Sequence, residues 1–202
     1  MPDGAPTLRT PTIAALISGG GRTVLNVQDA IDNHELDARI AVVIASSPTV
    51  TGLQRCTERG LPTIALNHQE SRFDDQLSAA LSEVRPDLIC LCGYLRHLRI
   101  EPWMTRRVIN IHPSLLPAYG GKGMFGNHVH RAVLDRGDRV SGCTVHFVDD
   151  VYDHGSTILQ RTIDVHDDDT VASLASRVFD QECIALPEAI RLVLGATPSA
   201  KP

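Results

Sequence analysis

The chain has 202 residues, 43% of them apolar and 21% charged, with a formal net charge of −5. This is globular composition at about one domain's length, which excludes a disordered or fibrous chain. The acidic balance argues against a general polyanion binder, because nucleic-acid affinity rests on a basic footprint.

Apolar runs are strand-length, short of the ~18 residues of a membrane helix. Residues 1–11, with Pro2, Pro6 and Pro11, read as a loose tail rather than a secretion signal. Residues 195–202 are expected to fray, leaving 12–194 as the domain. The five cysteines (Cys56, Cys90, Cys92, Cys143, Cys183) are odd in number and sit mostly in apolar runs. They are expected to be buried reduced thiols, which points to a cytoplasmic protein.

In chain order, Pro11–Ser18 is an apolar run ending in glycines, hence a buried strand. From Arg22 to about Asn33, Val24, Val27 and Ile31 recur at helical spacing. Arg39–Ser46 reads as a second strand, and Thr51–Gly60 as a helix stopped by its glycine. Leu61–Leu66 is a third strand. Ser71 is expected to cap a helix reaching about Val84, with Leu77 and Leu81 in its stripe. Pro86 opens a fourth strand, PDLICLCG. Arg107–Ile111, Gly142–Val148 and Ser156–Val165 read as three more, with Val145 and Phe147 alternating against His146 and Val148. A helix from Thr170 to about Leu194 follows, which Pro187 is expected to kink or divide. Its apolar stripe is read as Ala175, Val178, Cys183, Leu186, Ile190 and Val193, with Glu182 at the edge. Continuous apolar strands separated by helices predict one α/β domain, Rossmann-like. Its sheet is expected to be mostly parallel, twisted and of about seven strands, with helices on both faces.

Ser18-Gly19-Gly20-Gly21-Arg22-Thr23 joins the first strand to the first helix. Unpaired N–H groups and the helix dipole favour a phosphate there, and Arg22 or Thr23 can add a donor. Val24 stands where a dinucleotide fingerprint needs its third glycine, and the second strand ends without a ribose-gripping acid. This disfavours a nicotinamide-dependent oxidoreductase. A single-phosphate site is preferred over a bare tight turn.

Asn110-Ile111-His112-Pro113-Ser114-Leu115-Leu116-Pro117 leaves the fifth strand. Asn110 and His112, two apart on a strand, face the same side, and Pro113 restricts the histidine to extended geometry. A carboxamide and an imidazole side by side suit attack on a carbonyl: one donates to the oxyanion, the other donates or shuttles a proton. Downstream, Asp149, Asp150 and Asp153 lie in one polar loop. Any of the three can partner His112 and favour its charged form.

LISGGGRT, NIHPSLLP and GCTVHFVDDVYDHGSTILQ together resemble the folate-dependent formyltransferases, over nearly the whole chain. The resemblance implies transfer of a formyl group from 10-formyltetrahydrofolate to the amine of glycinamide ribonucleotide, in purine synthesis. It implies catalysis by Asn110, His112 and Asp153, with a protonated His112 beside the oxyanion. No metal is expected. Gly20, Gly21, Arg22 and Thr23 fall on the loop for the ribonucleotide phosphate, and Glu182 on an acid contacting that nucleotide. Arg96 and Leu98, with Val148, Asp149 and Asp150, fall on segments that meet the folate. The expected partners are these small molecules, with neither nucleic acid nor membrane, and the protein a monomer or homodimer.

Sibling chemistries are a formyltransferase for an amino-sugar nucleotide and a formyltetrahydrofolate hydrolase. The hydrolases read His-His-Ser where this chain has His112-Pro113-Ser114. A nucleotide-binding module without turnover is the non-enzymatic alternative. Two departures from the family pattern stand out. Gly120–Asn127 (GGKGMFGN) lengthens one loop into an expected mobile flap, with Lys122 placed to reach an anion. Phe179 is apolar where a polar nucleotide contact is expected. His128 and His130 are read as helix-start or substrate-loop histidines rather than metal ligands.

Overall fold

A computed structural model describes residues 9–195, so the outermost parts of both expected tails lie outside the described residues. Seven strands form one sheet in the order β3-β2-β1-β4-β5-β6-β7. They are β1 (Thr12–Ile17), β2 (Arg39–Ala45), β3 (Thr63–Ala65), β4 (Leu88–Leu91), β5 (Val108–His112), β6 (Val140–Phe147) and β7 (Thr157–Asp164). The first five pair in parallel, whereas β6 runs antiparallel to both neighbours. The helices are α1 (Arg22–Asp32), α2 (Thr51–Glu58), α3 (Phe73–Val84), α4 (Asn127–Arg136) and α5 (Val171–Gly195), with a 3-10 turn at Pro102–Met104.

The apolar runs have a direct cause. Along β1, Ile13, Ala15 and Ile17 pack with α1, α2, α4 and α5 on one face, while Ala14 and Leu16 pack with α3 on the other. A strand buried on both sides has no position left for a polar residue. β7 lies at the sheet's edge and alternates between half-buried and exposed positions.

Three local expectations are corrected. α3 starts at Phe73, after Arg72, and no side chain caps it, so Ser71 does not. α4 bears out only the helix start read at His128 and His130; it buries only Val129, His130 and Val133 and emerges from a glycine-rich loop. α5 is one helix through Pro187, so the proline does not divide it. A proline cannot donate to the carbonyl four residues back, here that of Cys183. The Asn26 side chain donates to that carbonyl instead, at 2.8 Å, and so ties α1 to α5. The buried stripe of α5 also shifts, to Leu174, Val178, Ala185, Leu186, Pro187, Ala189 and Ile190.

Candidate active site

Chain order reverses between β1 and β4: later strands step outward on both sides of that pair. At such a switch point the loops beyond the carboxyl ends part and leave a crevice. A cleft of about 680 Å³ opens there. It is lined by Arg22 and Thr23 after β1, 93–98 after β4, 110–113 on and after β5, His146 on β6, the loop around Asp153, and Phe179 and Glu182 of α5.

The turn after β1 is shaped by backbone contact. Gly21 has φ +72°, and a Cβ on it would lie 2.9 Å from the Gly52 Cα; a Cβ on Gly52 would lie 2.5 Å from the Gly19 oxygen. The Gly52 N–H donates to the Gly19 carbonyl at 3.1 Å, so α2 buttresses the turn. Arg55 of α2 donates to the Gly20 carbonyl at 3.1 Å. Gly20 and Gly21 form the frame, while Arg22 and Thr23 face the cleft.

β5 extends one residue beyond expectation, to His112. His112 is buried, and because a carbonyl only accepts, its Nε2 must carry the proton that it donates to the Tyr119 oxygen at 2.8 Å. Its bare Nδ1 faces Asp153 Oδ2 at 3.5 Å. Burial is the chief influence on this imidazole and lowers its pKa, against the opposing pull of Asp153 and the Tyr119 carbonyl; His146 lowers it further. Desolvation thus outweighs the carboxylate and favours the neutral imidazole at rest, whereas the protonated form expected beside the oxyanion belongs to the reaction itself.

The β5–β6 register places His146 opposite Asn110. His146 Nδ1 donates to the Phe147 carbonyl at 2.8 Å, so in the neutral ring Nε2 accepts from Asn110 Nδ2 at 3.1 Å. The same Nε2 lies 3.6 Å from Asp153 Oδ1. Burial raises the pKa of Asp153, but His146, His112 and the Gly121 N–H outweigh it and leave the carboxyl below its ordinary range. That N–H donates to Asp153 Oδ2 at 2.9 Å. Of the three loop acids, Asp153 is thus the one beside His112. Asp149 pairs with His154 at 2.9 Å, and Asp150 lies outside the cleft lining.

Arg96, Leu98, Val148 and Asp149 do line the cleft, with Val151 and Tyr152 in the place expected of Asp150. The two segments meet at its mouth. His97 packs edge-to-face on Tyr152 at 5.5 Å, and its Nε2 lies 3.3 Å from the Asp150 carbonyl. Of the expected flap, Gly120–Asn127, residues 121–127 line the cleft, and it leads into α4. His130 is buried at the cleft wall with Nδ1 unpartnered. Among the described residues no group of three or more His, Cys, Asp or Glu is arranged to hold a metal ion. Glu182 lines the cleft, where burial pushes its pKa up to about 7 against the pull of Arg22.

Sequence reasoning did not assign functional roles to His146, the Tyr119 carbonyl or the Gly121 N–H. Only the strand register reveals the first, and the backbone groups carry no residue signal.

A carboxamide, two imidazoles and a carboxylate at one end of the cleft can stabilise an oxyanion and relay a proton. An exposed guanidinium at a helix start can receive an anion at the other. Comparisons with known proteins point to the same chemistry. The chain is 36% identical over 182 residues to the chloroplastic phosphoribosylglycinamide formyltransferase of Vigna unguiculata, covering 87% of this chain and 58% of that one. It is 37% identical over 203 residues to the trifunctional purine biosynthetic protein adenosine-3 of Drosophila melanogaster, covering 96% of this chain but 15% of that one. The chain thus spans only part of these relatives. Glycinamide ribonucleotide transformylase 1 from Symbiobacterium toebii superposes with a TM-score of 0.83 at 36% identity, covering 92% of this chain and 89% of that one. The phosphoribosylglycinamide formyltransferase of Anaplasma phagocytophilum gives 0.82 at 31%, covering 93% and 88%. The formyl transferase family profile matches residues 12–190, from the first residue of β1 to the buried end of α5, and the chain belongs to that family.

Proposed function

We propose that this chain moves a formyl group from 10-formyltetrahydrofolate to the primary amine of glycinamide ribonucleotide. The observation that carries this reading is the meeting of Asn110, His112, His146 and Asp153 at one end of a cleft whose other end holds Arg22 and Glu182. The relatives named for this reaction support it.

The neutral amine attacks the formyl carbon, forming the new N–C bond and a tetrahedral oxyanion. Asn110 donates an amide N–H to that oxygen. His112, neutral at rest, takes the proton released by the acceptor nitrogen. The imidazolium so formed lies beside the Asp153 carboxylate, which stabilises it. The proton then passes to the leaving nitrogen of the folate as the old N–C bond breaks. No covalent enzyme intermediate is required, and holding both substrates in attack geometry supplies much of the acceleration. Arg22, Thr23 and the turn's N–H groups take the acceptor's phosphate, Glu182 contacts the nucleotide, and 94–98 with 148–153 take the folate. A reducing, cytoplasmic setting belongs to the same reading and is supported by five free cysteines.

The test is absorbance-followed turnover of the formyl donor with and without glycinamide ribonucleotide, on wild type and His112→Ala. Acceptor-dependent turnover lost in the variant is the expected result. Donor consumption without acceptor would make the chain a hydrolase instead, and binding without turnover would leave a nucleotide-binding module.

A further inference from the structure

Phe179 and Glu182 are three residues apart on α5, hence on one helix face, and both line the cleft. Arg22, the first residue of α1, reaches across to them. Its guanidinium carbon lies 3.7 Å from the centre of the Phe179 ring. Glu182 feels the charge of Arg22 yet lies beyond ion-pair distance, and among the described residues the guanidinium makes no ion pair.

This arrangement has a physical consequence. A guanidinium laid on an aromatic face is held through its plane, while its N–H donors point outward in that plane. Those donors match two oxygens of a phosphate. Off the ring, a flexible arginine beside an acid closes on that acid and loses the geometry. The apolar residue at 179, out of place as a direct nucleotide contact, is well suited as a support for the residue that makes one.

We propose that Phe179 is a positioning residue: its ring holds Arg22 beside the Gly19–Thr23 turn for a bidentate grip on the acceptor's phosphate monoester and keeps it from closing on Glu182. The acceptor's identity rests on the function proposed above, whereas phosphate capture by the stacked pair does not.

The experiment therefore has two arms. In the first, inorganic phosphate is titrated by phosphorus NMR line broadening into wild type, Phe179→Leu, Phe179→Tyr, Arg22→Ala and the Phe179→Leu/Arg22→Ala double variant. Phe179→Leu is expected to weaken phosphate about fivefold to tenfold, the size of a stacking contact. Arg22→Ala should weaken it at least as much, the tyrosine variant should bind like wild type, and the double variant should lose no more than Arg22→Ala alone. Wild-type affinity in Phe179→Leu, or equal affinity in all variants, overturns the proposal. In the second arm, Phe179→Leu should raise KM for glycinamide ribonucleotide about tenfold with kcat and the donor KM unchanged, and Phe179→Tyr should restore it. A fall confined to kcat overturns the proposal. If wild type does not turn over this acceptor, the proposed function fails while the phosphate titration still decides the stacked pair.

Discussion

The two ends of the cleft are built on opposite plans. At the end proposed for catalysis, His112 and His146 are buried and Asp153 is mostly so, on or beside adjacent strands, and each is held by a backbone group: the Tyr119 carbonyl, the Phe147 carbonyl and the Gly121 N–H. At the end proposed for the acceptor, Arg22 is exposed and leans on a ring, and Glu182 sits on a helix joined to α1 by the Asn26 bond. Groups that move protons need a defined tautomer, which a carbonyl imposes. A group that captures an anion needs a charge that reaches solvent and is positioned without being neutralised.

Removing the groups at the catalytic end tests this contrast most strongly. Asn110→Ala and His112→Ala are expected to cut kcat by about 10²–10⁴ while the thermal melt stays cooperative. Turnover near wild type in either would place the chemistry elsewhere. Gly155→Ala approaches the same end through the backbone, since its Cβ would lie 1.8 Å from the Phe147 carbonyl oxygen. The loop carrying Asp153 must then shift, and kcat should drop by more than about tenfold, a misplacement effect. An unchanged kcat would mean that the position of Asp153 is not critical.

The acceptor end predicts changes in stability. Glu182 binds its proton more tightly folded than unfolded, with a pKa of about 7 against an ordinary 4.5. Its favourable contribution is present below 4.5 and lost as pH rises through 7. In urea at pH 8, Glu182→Gln should therefore be more stable than wild type by about 2–3 kcal/mol, and near pH 4 the two should coincide. A pH-independent difference would contradict the buried carboxyl. Asn26→Ala leaves the Cys183 carbonyl without its donor and should cost about 1–2 kcal/mol. The cost should shrink in a Pro187→Ala background, where the restored N–H takes that carbonyl. The smallest effect is a displacement along the pH axis. By NMR, His112 should titrate below 6.5, and lower still in Asp153→Asn, because the variant lacks the carboxylate that pulls it up. A rise in that variant would reverse the assigned sign.

What was readable in the sequence follows from the same division. β1, β2 and β4 were legible because parallel strands covered on both faces are apolar throughout. α4 was not, since Asn127–Arg136 buries three side chains and carries no sustained stripe. The Asn110–His112 pair was legible because spacing of two on a strand is local. Asp153 could be singled out among the loop acids only through resemblance to known enzymes. The placement of His146 depends on an antiparallel register joining residues 36 apart, which no local pattern encodes. The lowered pKa of His112 was not legible, because a carboxylate neighbour is visible in sequence and the extent of desolvation is not. Phe179 was recognised as an oddity, but its meaning required Arg22 to be found on its face.

The bond from Asn26 to the carbonyl that Pro187 leaves without a partner spans 157 positions of the chain. Considered in the order of synthesis, it dates the site. Strands β1 to β5 and the Asn110–His112 pair leave the ribosome well before residue 183. A nascent chain of that length carries its amide and imidazole but neither the ring under Arg22 nor Glu182. On the proposed function, the acceptor site is thus the last part of the cleft to be completed, and it arrives with the helix that packs against the first.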